Sequence, residues 1–391
     1  MIDQSTRRKI LAGGRPQTLW QGEQMLGSAC GEAEIEAAVT AMRESGDISV
    51  GFGFSCQQIL DFEAAFAEYT GTRYAIAINS CGPGLDMAMR YLELAPGDEV
   101  IVPAINFIAV PLAVIGAGGQ VIWAEVDERT LQLDPDDVAR RITPRTRAIV
   151  PTHMNGLSAP MDELLQVAGG IPVIGDAARA CGGSYKGAKI GKHGLLTAFS
   201  LHTMKNITTL GEGGMITTDD KDVADFCRST RFYGDGARWG SSYVMTKVQA
   251  AVGLVQLRNL DSFIRARRRL GAERSQLLAE IPELQTADEP EGCEHTYYLY
   301  TCTVCRDWAG DRRNALITLL RETFGVATAI LNRPCYVDNA FIASHTEGQR
   351  LPLSDELGER ILCLPMHPAM TTADNEYIAA SVIECIEQLR N

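Results

Sequence analysis

Residues 74–103 read YAIAINSCGPGLDMAMRYLELAPGDEVIVP, and this stretch decides the fold. The apolar run from Tyr74 to Asn79 predicts a strand, Pro83 to Leu94 predicts a helix, and Glu99 to Pro103 predicts a second, buried strand. Short apolar runs separated by helices are typical of a mostly parallel sheet covered on both faces. Because crossovers between parallel strands are right-handed, the expected fold is a three-layer α/β domain.

The same alternation continues on both sides of this stretch. Further helices are predicted at Asp61–Tyr69 and after Asp134, and further strands at Gln120–Ala124, Arg147–Val150 and Pro172–Gly175. A long helical pattern then runs from Thr246 past Arg268, and the remainder mixes strands and helices in an α+β pattern. We therefore expect a large α/β domain over residues 41–265 and a smaller α+β domain over 266–391, with residues 1–40 packing on the smaller one.

Composition narrows the class of protein. The chain has 391 residues and a net charge of -13, a surface that repels nucleic acid and anionic membranes. No apolar run approaches the about 18 residues that a membrane span needs. The eleven cysteines are scattered, as expected for reduced thiols in the cytoplasm. Cys302 and Cys305 lie in a predicted strand that points them to opposite faces, so no metal site is expected there.

One segment has the features of an anion site. In Asn79–Leu85 a strand ends, small residues follow, and a helix starts with Pro83 near its first position. Exposed N–H groups at a helix N-terminus bind phosphate, and glycines allow it to approach closely. The alternative is an ordinary turn from strand to helix.

Two later segments carry charged groups at strand ends. Asp176 directly follows an apolar strand and, being poorly solvated, needs a cationic partner such as a protonated pyridine nitrogen. Its alternative role is a helix N-cap. Lys205 lies between the strand that includes Phe199–Ser200 and the turn Gly211-Glu212-Gly213-Gly214, where it could form a Schiff base. The alternative is an exposed surface lysine.

The order of these segments resembles the DegT/DnrJ/EryC1/StrS family of sugar aminotransferases, a branch of the fold-type I pyridoxal-5′-phosphate (PLP) enzymes. That family shows S-G-T-x-A-L, P-G-D-E-V-I-V-P, E-D-A-A-Q-A, S-F-H-x-x-K, G-E-G-G and Q-A-A-x-G-L-x-Q-L in this order. The matching segments of this chain are Ser80–Leu85, Pro96–Pro103, Gly175–Ala180, Ser200–Lys205, Gly211–Gly214 and Gln249–Leu257. The resemblance extends over roughly residues 30 to 385.

The resemblance implies a role for each matching residue. Lys205 would carry PLP, and Asp176 would pair with the pyridinium nitrogen and keep the ring an electron sink. Phe107 would stack on one face of the ring, with Ala178 near the other. The phosphate would be held by backbone N–H groups of Cys81 and Gly82 and by the hydroxyl of Ser200, and the partner subunit would add Ser242.

Three departures from the family pattern alter the implied cofactor site. Gly82 replaces the usual threonine, which removes one phosphate contact. Arg179 replaces the usual glutamine beside the phenolic oxygen of the cofactor. The family's N-Y-R appears as Ser242-Tyr243-Val244, so an arginine is missing, and Lys247 is a candidate to supply the charge.

The implied reaction is transfer of an amino group from glutamate or glutamine to a keto-sugar or keto-cyclitol, in amino-sugar, aminocyclitol or antibiotic biosynthesis, by a homodimer. A loop from Ile48 to Cys56 is expected to contact the acceptor through Phe52, Phe54 and Ser55, because aromatic faces bind the C–H faces of sugars. Its alternative is a loop that packs two aromatic residues into the core.

Two other functions stay open on the same fold. A PLP-dependent sugar dehydratase commonly replaces the Schiff-base lysine, often with histidine, whereas this chain has Lys205. A non-catalytic regulator would explain the altered phosphate site. A nicotinamide dehydrogenase fits the α/β pattern but needs a glycine fingerprint that the chain lacks.

Overall fold

The computed structural model describes residues 2–15, 20, 29–51, 55–286, 288–331 and 333–390. The strands in these ranges are β1 Tyr74–Ile78, β2 Glu99–Pro103, β3 Gln120–Ala124, β4 Thr146–Ile149, β5 Ile174–Asp176, β6 Ser184–Tyr185, β7 Ala188–Lys189, β8 Leu196–Ser200, β9 Gly214–Thr218, β10 Leu284–Thr286, β11 Cys293–Glu294, β12 Tyr300–Val304 and β13 Ile361–Leu364. The α-helices are α1 Gln4–Ala12, α2 Glu32–Ser45, α3 Gln57–Thr70, α4 Cys81–Tyr91, α5 Ala109–Gly116, α6 Pro135–Arg141, α7 Met161–Ala168, α8 Lys221–Arg231, α9 Lys247–Leu278, α10 Asp311–Phe324, α11 Cys335–Asp338, α12 Ala340–His345, α13 Pro352–Gly358 and α14 Thr372–Arg390.

The large sheet has the strand order β3-β2-β4-β5-β8-β9-β1. Two parallel bridges, Ile149 with Val173 and Thr152 with Asp176, join its two halves between β4 and β5. Neighbouring strands run parallel except at β9, which is antiparallel to both β8 and β1. The prediction of a mostly parallel sheet is therefore confirmed. The connection from β8 to β9 contains Lys205 and the Gly-rich turn but no helix, whereas parallel strands are usually joined through a crossover helix.

Residues of β1 show why helices cover both faces of this sheet. Ile76 and Ile78 pack in one apolar cluster with Leu85 of α4. Ala75 and Ala77, which point the other way, pack in another cluster with Phe62 and Phe66 of α3. Successive strand residues face opposite sides, so an all-apolar strand needs a layer of helices on each. The result is the three-layer arrangement that the sequence predicts.

A second, antiparallel sheet has the strand order β10-β12-β13. Its core includes residues of α10 and α14, and the long helix α9 joins it to the large sheet: Ile264 packs in a cluster below the large sheet, and Leu270 packs in the core of the small one. The N-terminal helix α1 lies on α14, where buried Arg7 pairs with Glu384 and Glu387. No helix in the described ranges is long and apolar enough to cross a membrane.

Candidate active site

The carboxyl-end edge of the large sheet brings together the segments that the sequence singles out. Strand β1 ends there before α4, β2 ends before Phe107, β5 ends at Asp176, and β8 ends at Ser200 before Lys205. This is the edge at which ligands bind in open α/β sheets, because the strand ends and helix N-termini face the same crevice.

Asp176 lies at the centre of this edge, and only 2% of it is exposed. Its Oδ1 accepts a hydrogen bond from the backbone N–H of Ala178 at 3.0 Å, and its Oδ2 lies 3.5 Å from the Thr152 hydroxyl oxygen. Burial raises the pKa of Asp176, and the positive charges of Lys205 and Arg179 oppose this shift without cancelling it. Because burial disfavours the charged form of Asp176, its carboxylate is suited to a cationic ligand atom, as a protonated pyridine nitrogen would be.

Lys205 projects from the turn after β8, and its backbone N–H donates to the carbonyl of His202 at 2.9 Å. Its Nζ donates to the Tyr298 hydroxyl at 3.4 Å and lies 4.9 Å from the centre of that ring. The charge of Lys205 acts on both Asp176 and Cys81, where it lowers the pKa of each against the effect of burial. The lysine is therefore part of the same charged cluster and is not a surface side chain turned away from it.

The start of α4 forms a cradle for an anion. The helix begins at Cys81, and its N-cap residue Ser80 makes no side-chain cap, so its first N–H groups are not used by a capping side chain. No atom lies within 4 Å of the place where a Cβ of Gly82 would be. The missing threonine thus leaves open space at the helix N-terminus, where a phosphate group would fit.

The Gly-rich turn before β9 is required by this cradle. A Cβ on Gly214 would lie 2.7 Å from the carbonyl carbon of Ser80 and 2.8 Å from the backbone nitrogen of Cys81. A Cβ on Gly213 would meet the Thr209 hydroxyl at 1.9 Å. The Ser80 hydroxyl donates to Glu212 at 3.2 Å, which ties this turn to the helix start. The G-E-G-G segment therefore lets the turn before β9 approach the backbone at the start of α4 closely.

Two residues could cover the faces of a flat ring at this edge. Phe107 is a large apolar side chain that is 55% exposed, next to the buried Asn106. Ala178, two residues after Asp176, is half-buried. The Ser200 hydroxyl is buried and accepts from the backbone N–H of His202 at 3.4 Å. An exposed aromatic face next to Asn106, which contacts Thr152 near Asp176, is suited to cover a planar, positively charged ring.

Arg179 is almost fully buried beside Asp176. Its Nη1 donates to the side-chain oxygen of Asn155 at 3.2 Å, and its guanidinium lies 5.9 Å from the centre of the Tyr298 ring. Its charge also favours the ionised form of Asp176. Arg179 is therefore fixed in place within the charged cluster.

Other predicted site residues lie at the edge of this cluster or outside it. Phe52 and Phe54 lie outside the described residues, and Ser55 is exposed. Ser242 is also exposed, and its carbonyl accepts from the side chain of Asn79 at 3.5 Å. The ammonium of Lys247 is buried and pairs with Glu44 at 3.2 Å, so its charge is already neutralised within the chain.

The sequence did not point to several residues that the structure places in the cluster. Thr152 and Asn106 both lie just after the end of a strand, and this position in the sequence could have identified them as site candidates. The Thr152 hydroxyl donates to the Asn106 side-chain oxygen at 2.8 Å. The Asn106 amide nitrogen is buried and has no hydrogen-bond partner in the described part of the chain, as expected if it faces a ligand. Tyr298 comes from the segment before β12, and no local pattern marks it. Groups of three or more metal-binding side chains are absent from the described ranges.

Comparisons with known proteins identify the family of this chain. A family model described as the DegT/DnrJ/EryC1/StrS aminotransferase family matches residues 29–383. The chain is 33% identical over 377 residues to the spore coat polysaccharide biosynthesis protein SpsC of Bacillus subtilis (strain 168), covering 91% of this chain and 95% of that protein.

Solved structures show the same likeness. The aminotransferase TlmJ from Streptoalloteichus hindustanus is 27% identical and superposes with a TM-score of 0.86, covering 96% of this chain and 100% of its own. The S. venezuelae protein DesV, solved in complex with a ketimine intermediate, is 31% identical with a TM-score of 0.82, covering 92% of this chain and 96% of its own.

Proposed function

Since this chain belongs to the DegT/DnrJ/EryC1/StrS aminotransferase family, we propose that it transfers an amino group from glutamate or glutamine to a keto-sugar, with or without a nucleotide, or to a keto-cyclitol. Membership of the family makes it a PLP-dependent sugar aminotransferase. The donor and the acceptor are the part that we propose. The observation that carries the proposal is the cluster of Lys205, buried Asp176 and the open start of α4 at one sheet edge.

Each residue of this cluster has its own role in the proposed reaction. When bound, PLP supplies an electron sink for the carbon that loses its proton. Asp176 holds the proton on the ring nitrogen, since its own burial is relieved by a cationic partner. Lys205 would carry the cofactor and, when its amine is free, would be the base that takes up and returns the proton. The start of α4 holds the phosphate, and Phe107 covers the ring and excludes water.

The experiment that tests the substrate proposal is a half-reaction screen. The aminated cofactor form of the protein is mixed with keto-sugars, keto-sugar nucleotides and keto-cyclitols, and recovery of the PLP absorbance is followed. We expect a polyol-like ketone to restore the PLP form faster than oxaloacetate or pyruvate. If a small keto acid outcompetes every polyol ketone tested, the proposed acceptor class is wrong.

Two alternatives give different results when the PLP form is first treated with glutamate and the protein is then mixed with the keto-sugars. A sugar dehydratase would lose a hydroxyl group from a keto-sugar without leaving nitrogen on the product. A non-catalytic regulator would bind PLP without any spectral response to glutamate. The presence of Lys205 beside Asp176 favours amino transfer over both, because the lysine is the group that both alternatives can dispense with.

We also propose a homodimer in which each site is completed by its neighbour. Ile35, Val39 and Met42 are exposed and spaced to form one apolar stripe on α2, which is rare on the surface of a monomer unless another chain covers it. A second exposed group, which includes Phe232 and Trp239, lies on the loop before Ser242. A second copy of this chain is the occupant that both patches fit.

The dimer is tested by sedimentation at several protein concentrations. Met42→Glu should weaken association, since it places a charge within the apolar stripe, whereas Glu36→Gln on the polar side of the same helix should not. A fully active monomer would refute the proposal.

We further propose a cytoplasmic location and a pathway of amino-sugar, aminocyclitol or antibiotic biosynthesis; the eleven free thiols support the former.

A further inference from the structure

Tyr298 contacts the catalytic lysine from the other side of the crevice. It belongs to the segment 295–299, which leads into β12 of the small sheet, and only 3% of it is exposed. Its hydroxyl accepts from Lys205 Nζ at 3.4 Å, and the ammonium also lies over its ring. The lysine on the large sheet is thus held by a side chain that belongs to a different sheet.

The backbone of this segment is tied to the large sheet beside the site. The N–H of Thr296 donates to the carbonyl of Gly156 at 2.9 Å, and the N–H of Leu299 donates to the carbonyl of Asn155 at 3.2 Å. Gly156 has a φ of 106°, and a Cβ there would lie 2.2 Å from the Thr296 hydroxyl. Only glycine permits this approach, so the place of Tyr298 is set by a specific backbone contact.

A buried arginine also holds the segment 295–299 in place. Arg267 of α9 donates through Nη1 to the carbonyls of Tyr297 at 3.1 Å and of Tyr298 at 3.3 Å. Burial lowers the pKa of Arg267 to about 10, and Nη1 also donates to the carbonyl of Met366 at 3.3 Å, so three carbonyls together offset its buried charge. Tyr297 is held with a φ of 48°, a conformation that non-glycine residues rarely adopt. Such strain persists where the surroundings fix it, and it is concentrated at functional sites.

Asn155 links Tyr298 to the second cation of the cluster. Its side-chain oxygen accepts from Arg179, and its carbonyl accepts from the backbone next to Tyr298. The guanidinium and the Lys205 ammonium both lie within cation–π range of the Tyr298 ring, at 5.9 and 4.9 Å. The Tyr298 ring therefore lies near both cations of the cluster.

We propose that Tyr298 is a positioning residue for Lys205, holding its Nζ at the proton-transfer position whenever the amine is not bonded to the cofactor. This inference rests on the proposed function, because it needs Lys205 to carry the cofactor. A lysine amine stands on a flexible four-carbon stem, whereas a base must stay within hydrogen-bond reach of the proton that it moves. The fixed hydroxyl of Tyr298 restricts the position of the Lys205 amine and is not itself changed by the reaction.

The test is Tyr298→Phe, which keeps the ring and removes only the hydroxyl. Tyr297→Phe is the matched control, because its hydroxyl lies 3.5 Å from Glu289 and does not face the lysine. We expect Tyr298→Phe to lower kcat about tenfold, with KM for donor and acceptor changed less than about twofold, since ground-state binding does not use the contact. The control should keep both constants.

A second readout does not depend on turnover. Apoprotein is mixed with PLP, and the rate at which the visible absorbance appears is measured against pH, since this rate reports the reactivity of the Lys205 amine. We expect the pH profile of Tyr298→Phe to shift from that of the wild type, and that of Tyr297→Phe to match it. An unchanged profile together with an unchanged kcat would overturn the proposal.

Two controls keep the result interpretable. If Tyr298→Phe unfolds at a lower temperature than the wild type, 3,5-difluorotyrosine introduced at position 298 keeps the shape and changes only the acidity of the hydroxyl. A pH profile that then matches the wild type would equally overturn the proposal. Borohydride reduction of the wild type distinguishes failure of the proposed function from failure of the proposed role of Tyr298. If the cofactor is not fixed on Lys205, the proposed function is wrong. If it is fixed there, only the role of Tyr298 is in question.

Discussion

Replacing Asp176 by asparagine should stabilise the apoprotein and disable the loaded enzyme. The wild-type carboxylate is buried and its pKa is raised. In the apoprotein its negative charge therefore lowers the free energy of unfolding, and only a ligand cation compensates this charge fully. An asparagine can keep both contacts: its oxygen accepts from Ala178, and its amide can donate to the Thr152 hydroxyl, which itself donates to Asn106.

The sign of the pH dependence follows from the direction of the pKa shift. A carboxyl whose pKa is raised above its usual 3.8 in the folded state gives a stability that is fully present below that value and is lost as the pH rises through the folded-state pKa. Asp176→Asn removes this loss. We expect the apo variant to exceed the wild type by about 1–2 kcal/mol at pH 7, the size of an uncompensated charged contact, and the difference to vanish near pH 4.

The loaded protein should respond in the opposite direction. Without the carboxylate the ring nitrogen loses its charge-assisted partner, which is worth about 2–3 kcal/mol, and kcat should fall about 100-fold. Thermal unfolding of apo and loaded protein at pH 4, 5, 6 and 7, with single-turnover kinetics at pH 7, measures both effects. An apo Asp176→Asn protein that is less stable at pH 7, or a loaded one with wild-type kcat, would refute the reasoning.

Four further substitutions probe the cofactor and acceptor sites. Gly214→Ala forces a Cβ against the backbone at the start of α4 and should raise the Kd for PLP about 10- to 100-fold, measured by titrating apoprotein; an unchanged Kd would mean that the cradle is not the phosphate site. Arg179→Gln should raise the pH midpoint of the visible absorbance of the loaded protein by about one unit, because a guanidinium favours the phenolate; an unmoved midpoint would leave Arg179 with its structural contact to Asn155 alone. Phe52→Ala or Phe54→Ala should slow the acceptor half-reaction about tenfold more than the glutamate half-reaction, and an equal loss in both would identify a structural loop.

The strand-end segments could be predicted from sequence because their information is local. Asp176 and Lys205 each adjoin an apolar strand, and parallel strands bring their carboxyl ends to one edge whatever their order in the chain. The antiparallel direction of β9 was not foreseen, since a strand's hydrophobic pattern does not state which way it runs.

The remaining site residues depend on contacts distant in sequence. Tyr298 reaches Lys205 across 93 residues, and its position depends on the Gly156 turn and on Arg267, neither of which a local pattern connects to the lysine. Lys247 is an example of a local pattern that distant contacts override. Its place one helical turn after Val244 makes it a candidate to replace the charge of the missing arginine, but the packing of α2 on α9 supplies Glu44 as its partner.

The attachment site of the cofactor tests the central claim most directly. PLP-loaded protein is reduced with borohydride and digested, and the modified peptide is identified by mass spectrometry. We expect a single modified residue, Lys205, and no covalent modification in Lys205→Ala. Modification of a different lysine, or trapping that persists in Lys205→Ala, would contradict it.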